Sequence, residues 1–261
     1  MSAAASKRAK TPDLLASFDL DSPHATEVRR LLQALWSDPA NRERKSFMVT
    51  SAGRGEGKST TCALMGIVAA RIFRRRTVVI DADLWRPTMH RALGVSFRPG
   101  LADLLAEKAS IDAVIRPTLL PTLSVIPAGA ASMPIAQLFN EEVFANVIAR
   151  CREQFDLVLV DSAPMVPVVE PVMMAQHIDG IVIVALAGRT PLNLVRRLKQ
   201  ITTPFRERVV GVILNNATRG LPYYYEHSYY GYHKSSRRGA QPNVGDAAST
   251  PTTSGGDAGT S

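Results

Sequence analysis

The chain has 261 residues, 46% of them apolar and 21% charged, which is enough for one large or two small domains and is a globular composition. This length excludes a mini-protein or a disulfide scaffold. The two cysteines, Cys62 and Cys151, have no Cys or His partner at zinc-like spacing, so we expect a reduced compartment, no structural metal and both thiols packed in the core. The formal net charge of +8 fits an anionic partner, but such an excess is also common in proteins without one.

Both ends of the chain are poor in large apolar residues. We expect a disordered N-terminal segment over 1–20 and a disordered low-complexity tail over 235–261. The basic residues near the N-terminus have no apolar stretch behind them, so no secretory signal is expected, and no apolar run approaches the roughly 20 residues of a membrane span. We therefore expect a cytoplasmic chain whose folded domain covers 21–217.

Between these ends, short β-branched runs alternate with longer amphipathic stretches. Helical spacing of apolar residues predicts a helix between Ala25 and Trp36, and a second helix beginning near Lys58 is expected to end at the basic run 74–76. The predicted strands are 47–50, 77–80, 123–126, 157–160, 181–185 and 209–214. Near-continuous apolar strands separated by helices predict an α/β fold, a three-layer, doubly wound and mostly parallel sheet with ligands at the carboxyl ends of its strands.

A glycine-rich loop over 50–61, TSAGRGEGKSTT, follows the first predicted strand and precedes a predicted buried helix. This is the context of a P-loop, in which backbone N–H groups and a helix N-terminus face phosphate oxygens. Lys58 supplies a charge for the β- and γ-phosphates of ATP, and Ser59 a hydroxyl for Mg²⁺. Ala52 replaces the first glycine of the consensus, and a purely structural turn is the alternative. The predicted nucleotide-binding residues here are Gly53, Arg54, Gly55, Glu56, Gly57, Lys58, Ser59 and Thr60.

Three acidic residues follow two of the predicted strands. Asp81 and Asp83 come after 77–80, and Asp161 comes directly after 157–160. A P-loop enzyme needs a carboxylate at another strand end to hold the water shell of its metal, whereas the alternative for each residue is a helix cap or turn. Ordinary P-loop enzymes need only the Asp161 type, so the acidic pair at 81 and 83 requires a further explanation.

All six tyrosines of the protein lie within ten residues, in the segment 218–234 that follows the last predicted strand. Exposed aromatic residues are unusual next to a low-complexity tail. They form either a docking or RNA-stacking strip, or a row of hydroxyls that accept phosphoryl groups at about two negative charges per site. The ATP site in the same chain favours the second interpretation. The candidate phosphoacceptors are Tyr223, Tyr224, Tyr225, Tyr229, Tyr230 and Tyr232.

From about Ser22 to Lys234 the sequence resembles the cytoplasmic catalytic domain of the bacterial tyrosine kinases (BY-kinases) that regulate capsule and exopolysaccharide synthesis. The loop with GEGKST, the motif DADLWRP at 81–87, the motif LVLVDSAP at 157–164 and the tyrosine cluster occur in the order of that family. The resemblance implies a P-loop NTPase fold and a protein-tyrosine autokinase that transfers the γ-phosphoryl group of ATP to its own cluster in trans.

By this resemblance, the metal is held by Ser59, Asp81 and Asp161. Lys58 would handle the phosphates, Asp83 would orient or deprotonate the attacking tyrosine hydroxyl, and Asn215 would read the adenine. The implied catalytic residues are Lys58, Asp83 and Asp161. Trp85 stands where the family usually has an arginine.

The resemblance also implies partners. A transmembrane activator of the polysaccharide co-polymerase type, encoded as a separate chain, would complete the ATP site and place the kinase at the inner face of the cell membrane, and a cognate tyrosine phosphatase would reverse the modification. The family forms rings through a Glu-x-x-Arg-x-x-Arg helix. Here Glu27 and Arg30 match and Gln33 replaces the second arginine. A homo-oligomer is therefore expected, but the sequence does not decide whether it is a ring. No nucleic-acid partner is expected.

Two other functions are alternatives. A partition or cell-positioning ATPase has the same fold, but its loop carries an additional lysine five residues before the P-loop lysine, where this chain has Gly53. A scaffold that binds nucleotide without transferring phosphate is the other.

Overall fold

A computed structural model of the chain describes residues 13–217. Within this range seven strands form one sheet in the order β3-β4-β2-β5-β1-β6-β7. The strands are β1 Ser46–Ser51, β2 Thr77–Asp81, β3 Arg116–Pro117, β4 Leu123–Ile126, β5 Leu157–Asp161, β6 Gly180–Leu186 and β7 Val209–Asn215. All neighbours are parallel except the antiparallel pair of β3 and β4. Each predicted strand is present and extended by at most two residues, which confirms the predicted α/β fold.

Helices connect the strands and cover both faces of the sheet. The α-helices are α1 Leu14–Ser17, α2 Pro23–Ser37, α3 Lys58–Arg71, α4 Met89–Ala92, α5 Leu101–Leu105, α6 Ile111–Val114, α7 Ile135–Leu138, α8 Glu141–Gln154, α9 Glu170–Met174 and α10 Leu192–Thr202. Short 3₁₀ helices follow at Pro39–Asn41, Ala175–His177 and Thr203–Arg208. None of the helices in the described range is long and apolar enough to cross a membrane.

Two buried apolar clusters lie on the two faces of the sheet. In β1, Phe47 and Val49 belong to a cluster with residues of α2 and α3, whereas Met48 belongs to a cluster with residues of α5 and α8. Successive residues of a strand point to opposite faces, so this alternation shows that both faces of β1 are covered. The arrangement is the predicted three-layer fold.

The helix α2 begins two residues before its predicted start. Its N-cap is Ser22, whose hydroxyl accepts a hydrogen bond from the N–H of Ala25 at 3.2 Å, and Pro23 occupies the first helical position. Both residues are favoured at these places, because the cap satisfies an unpaired N–H and proline has none to satisfy.

The predicted end of α3 at 74–76 is wrong. The helix ends at Arg71, and Arg74 adopts a left-handed conformation with a φ of 55° that no α-helix can continue through. The guanidinium of Arg75 instead lies 4.1 Å from the ring centroid of Trp36, and Arg76 pairs with Asp156 at 3.1 Å. Arg75 and Arg76 therefore stabilise the connection between α3 and β2 through contacts with other elements.

The expected disorder of 1–20 is wrong for residues 13–20. Asp13 caps the helical turn α1 by accepting the N–H of Ala16 at 3.1 Å, and Leu15 is buried in the cluster that contains α2 and α3. The rest of that segment, the tyrosine segment 218–234 and the tail 235–261 lie outside the described residues. Both cysteines are buried and unpaired, as predicted.

Candidate functional site

The predicted site residues that the structure describes lie at one edge of the sheet, where the central strands end. Asp81 and Asp161 are the last residues of β2 and β5 and are paired in register across these neighbouring strands. Residues 52–57 connect β1 to α3 beside them. Since carboxyl ends of parallel strands meet at one edge, residues 80 positions apart in sequence become neighbours.

The loop over 52–57 has the backbone of a phosphate cradle. Gly55 and Gly57 have φ values of 76° and 93°, in the left-handed region that favours glycine. No side chain caps α3, which begins at Lys58, so the N–H groups of its first turn are available to an anion. A β-carbon on Gly57 would lie 2.1 Å from the Nδ2 atom of Asn215, so any larger residue there would be strained and would displace the Asn215 side chain.

The side chain of Glu56 braces this loop from within. Only 5% of Glu56 is exposed, and its Oε2 atom accepts the N–H of Gly53 at 2.9 Å while its Oε1 atom accepts the hydroxyl of Thr190 at 2.5 Å. Asn215 donates from Nδ2 to the carbonyl oxygen of Glu56 at 3.0 Å. The phosphate loop is therefore connected to the residues that follow β6 and to the end of β7.

Lys58 and Asp83 form a largely buried ion pair. The distance from Nζ to Oδ2 is 2.8 Å, and the two side chains are 13% and 5% exposed. Burial alone would lower the pKa of Lys58, but the charges of Asp161, Asp83 and Asp81 together raise it above its ordinary value. The ammonium group therefore stays charged at neutral pH.

The Asp81 and Asp161 carboxylates are fully buried and poorly hydrogen-bonded. Oδ2 of Asp81 accepts the N–H groups of Thr88 and Met89, each at 2.9 Å, but Oδ1 of Asp81 and both oxygens of Asp161 have no hydrogen-bond partner. Burial raises the pKa of Asp161 to about 6, and burial together with the Asp161 charge raises that of Asp81 well above its ordinary value. Three orphaned carboxylate oxygens fit a divalent cation that prefers oxygen ligands.

No group of three His, Cys, Asp or Glu side chains in the described range converges as a complete metal-binding set. Mg²⁺ usually keeps several waters and substrate phosphates among its ligands and takes only one or two carboxylates from a protein. The hydroxyl of Ser59 lies close enough to Asp161 to oppose the rise of its pKa. Ser59, Asp81 and Asp161 together fit the ion.

A cavity of about 180 Å³ opens between the phosphate loop and the turn that follows β2. Lys58, Ser59 and Asp83 line its interior, and Arg54 and Trp85 stand at its lining as exposed side chains. The cavity therefore connects the phosphate loop with Asp83, the second member of the acidic pair at 81 and 83.

A larger cavity of about 560 Å³ lies at the opposite, amino-terminal edge of the sheet. Arg152 there pairs with Asp179 at 2.8 Å, and Arg208 donates to the carbonyl oxygens of Ala175 and Ile178 at 2.8 and 3.1 Å. These guanidinium groups are engaged in holding helix and strand ends, and none of the predicted site residues lines this cavity.

The chain has similar sequences among known proteins, although no family model matches it. It is 27% identical to the tyrosine-protein kinase YwqD of Bacillus subtilis, over 84% of this chain and 91% of that protein. It is 28% identical to the tyrosine-protein kinase wzc of Salmonella typhi and 36% identical to the succinoglycan biosynthesis transport protein ExoP of Rhizobium meliloti, over 87% and 77% of this chain. The chain spans only 31% and 26% of those two proteins.

Solved kinase domains have the same fold. The kinase domain of VpsO matches with a TM-score of 0.63 and 26% identity over 74% of this chain and 98% of that domain. The kinase domain of the Escherichia coli tyrosine kinase ETK matches with a TM-score of 0.70 and 23% identity over 85% of this chain and 88% of that one. In sequence and in fold the chain is similar to the bacterial tyrosine kinases (BY-kinases). The resemblance deduced from the motifs is confirmed.

More distant neighbours share the BY-kinase fold alone. The septum site-determining protein MinD of Pyrococcus horikoshii, solved with Mg-ADP, has a TM-score of 0.58 and 20% identity over 71% of this chain and 76% of that one. It represents the cell-positioning ATPases of the alternative reading, which have less in common with this chain than the BY-kinases do.

Sequence reasoning missed part of this BY-kinase site. Thr190 carries no motif, and its contact with Glu56 joins residues 134 positions apart, so no local pattern could have revealed it. Asn215 was expected to read adenine, but both ends of its amide have partners within the chain, the carbonyl oxygen of Glu56 and the N–H of Asn216. Its adenine role stays a prediction.

Proposed function

We propose that the chain is an ATP-dependent protein-tyrosine autokinase that acts in trans on the tyrosines of its segment 218–234 and regulates the polymerisation and export of a capsule or exopolysaccharide. The observation that carries the proposal is the meeting of a P-loop lysine, an ion-paired second aspartate and two buried carboxylates at one sheet edge. Relatives named tyrosine-protein kinases, and one named a succinoglycan biosynthesis transport protein, support it.

In this proposal the donor is ATP with Mg²⁺, which supplies the γ-phosphoryl group and neutralises charge on the phosphates. The backbone N–H groups of 54–60 bind the phosphate oxygens, and Lys58 adds a positive charge that its acidic neighbours preserve. Ser59, Asp81 and Asp161 would hold the metal and its waters. Positioning and charge neutralisation supply most of the catalysis in phosphoryl transfer of this kind.

In this proposal Asp83 accepts a hydrogen bond from the hydroxyl of the tyrosine that is phosphorylated. Its Oδ1 atom accepts the N–H of Arg86 at 3.0 Å, which sets the orientation of the carboxylate, and its Oδ2 atom contacts Lys58 at 2.8 Å. When Lys58 turns to the phosphates, Oδ2 becomes free to accept a hydrogen bond from a tyrosine hydroxyl. The tyrosine oxygen then attacks the γ-phosphorus, its proton passes to Asp83, and ADP leaves with the bridging oxygen.

The proposal includes partners. A transmembrane activator of the polysaccharide co-polymerase type, on a separate chain, completes the ATP site and holds the kinase at the inner face of the membrane, and a cognate phosphatase removes the phosphate. The wzc and ExoP relatives, most of whose length lies outside the match, support an activator of this kind. A homo-oligomer brings the tail of one copy to the site of another; Glu27 and Arg30, paired at 2.7 Å on the exposed side of α2, are candidates for its contacts.

The test is phosphopeptide mass spectrometry on residues 221–234, with and without the candidate membrane partner. We expect phosphotyrosine in the chain of natural sequence and none in Lys58→Met. Lys199→Met, which removes an exposed lysine from α10, is the matched control and keeps the modification. An unmodified segment in every sample, despite measurable ATP binding, refutes the kinase and leaves an ATPase or a nucleotide-binding scaffold.

A further inference from the structure

Trp85 is an exposed indole at the mouth of the site. It is 53% exposed and lines the cavity of about 180 Å³ that contains Lys58 and Asp83. No aromatic ring or arginine in the described range stacks on it, whereas Trp36 packs edge-on against Phe73 with ring centroids 4.9 Å apart. With about half of its surface in water and no ring stacked on it, this indole contributes less to the fold than a buried tryptophan would.

The backbone holds Trp85 at a constant place beside Asp83. The N–H of Arg86 donates to the carbonyl oxygen of Asp83 at 3.1 Å and to its Oδ1 atom at 3.0 Å. Trp85 lies inside this turn, so a group that stacks on the indole comes next to the carboxylate of Asp83.

The sheet places Trp85 on one side of the phosphate loop and Asn215 on the other. Trp85 follows β2 and Asn215 ends β7, while the loop follows β1, and the strand order is β2-β5-β1-β6-β7. The predicted adenine side and the Trp85 side are therefore separated by the phosphates. The cavity of about 180 Å³ has the phosphate-loop residues Lys58 and Ser59 at one part of its lining and Trp85 at another, so the Trp85 side is left for the acceptor side chain.

The charged side chains around the cavity also favour a side chain as its ligand. Arg54 and Arg86 line the cavity, and neither forms an ion pair with any described residue. A flat apolar ring flanked by two unpaired cations fits an aromatic side chain that carries or receives an anionic group. All six tyrosines of this chain lie in 221–234, a segment outside the described residues.

We propose that Trp85 is the platform for the acceptor tyrosine, with the ring of a tyrosine from 221–234 of a second copy stacked on the indole and its hydroxyl at Asp83. Arg54 and Arg86 flank the phosphoryl group during transfer. This inference rests on the proposed kinase function and identifies the specificity-determining residue for its acceptor.

The test mixes two forms of the full chain. The catalytic chain carries Tyr→Phe at all six tyrosines, and the receiver chain carries Lys58→Met and keeps them. Trp85→Ala in the catalytic chain raises the half-saturating concentration of receiver on the order of tenfold and leaves KM for ATP unchanged. The same Trp85→Ala in the receiver chain has no effect, and Trp85→Phe in the catalytic chain restores most of the loss.

Three results overturn the proposal. They are an unchanged receiver requirement with Trp85→Ala, an equal loss from either chain, and a parallel rise in KM for ATP. If the unaltered pair shows no phosphotyrosine even with the candidate membrane partner present, the kinase proposal fails, and the platform is then judged by tryptophan emission. A Trp36→Phe chain, in which Trp85 is the remaining tryptophan, changes its emission saturably with the peptide 221–234 and not with the same peptide carrying serine for tyrosine. No difference between the two peptides overturns the platform by itself.

Discussion

The hydroxyl of Thr190 connects the phosphate loop to the end of β6. It donates to Oε1 of Glu56 at 2.5 Å and accepts the N–H of Leu186 at 2.8 Å. Thr190→Val keeps the shape of the side chain and removes both bonds. Hydrogen bonds to charged groups contribute about 1.5–3 kcal/mol, so we expect the free energy of unfolding to fall by roughly 2–3 kcal/mol. In a domain of this size that lowers Tm by roughly 5–10 °C.

The same substitution should weaken nucleotide binding. The carboxylate that Thr190 holds also accepts the N–H of Gly53 at 2.9 Å, so the loop loses part of its preorganisation. We expect the Kd for ADP, measured by calorimetry, to rise several-fold in Thr190→Val. Thr190→Ser keeps the hydroxyl and should stay within about 1 kcal/mol of the unmodified chain, since it loses a single methyl group. Equal Tm and equal Kd in Thr190→Val and the unmodified chain would show that Glu56 does not brace the loop.

Three further predictions concern the same edge of the sheet and the core. Gly57→Ala forces a β-carbon to within 2.1 Å of Nδ2 of Asn215 at a φ of 93°, so ADP affinity should fall at least tenfold, whereas Gly55→Ala, with open space around it, should lose less. Because the pKa of Asp161 is about 6, its carboxylate is protonated below that pH, and the rise in Tm that Mg²⁺ gives with ADP should shrink from pH 7.5 to 5.5. The stability of the metal-free protein should change with pH in the opposite direction. A raised carboxyl pKa stabilises the fold below about pH 4, and that contribution is lost as the pH rises through 6. Finally, burial raises the pKa of both cysteines, so iodoacetamide should label neither in the native protein at pH 8 and both in urea, by mass spectrometry.

The sheet was predictable because its central strands are buried on both faces. Such strands are near-continuous runs of apolar residues, and every residue of β1, β2 and β5 is buried. The edge strand β3, Arg116–Pro117, has two residues, one of them a proline, and no run that could announce it. The end of α3 was predicted wrongly for a related reason. The left-handed residue after a helix is usually a glycine, but here it is Arg74, so no glycine marks the end of the helix.

The site was predictable where a residue type serves phosphate or metal directly. The P-loop and the aspartates after strands follow from that chemistry and from strand-end convergence. What supports the loop was not predictable, because it is built from single contacts between distant positions: Glu56 with Thr190, and Glu56 with Asn215, 134 and 159 residues apart. A motif records the groups that a ligand needs and leaves out the groups that hold them in place.

Electrostatics explains why this edge carries more acid than an ordinary P-loop enzyme needs. Three buried carboxylates face one ammonium group, so full ionisation leaves a local charge of −2, from three negative charges and one positive charge. Low-dielectric surroundings oppose this excess, which is why the pKa values of Asp81 and Asp161 are raised while Lys58 stays charged. One divalent cation balances the excess and favours the ionised carboxylates. Of the three carboxylates, Asp83, held by the turn that carries Trp85, is the one that lines the cavity, where the proposed acceptor hydroxyl would meet it.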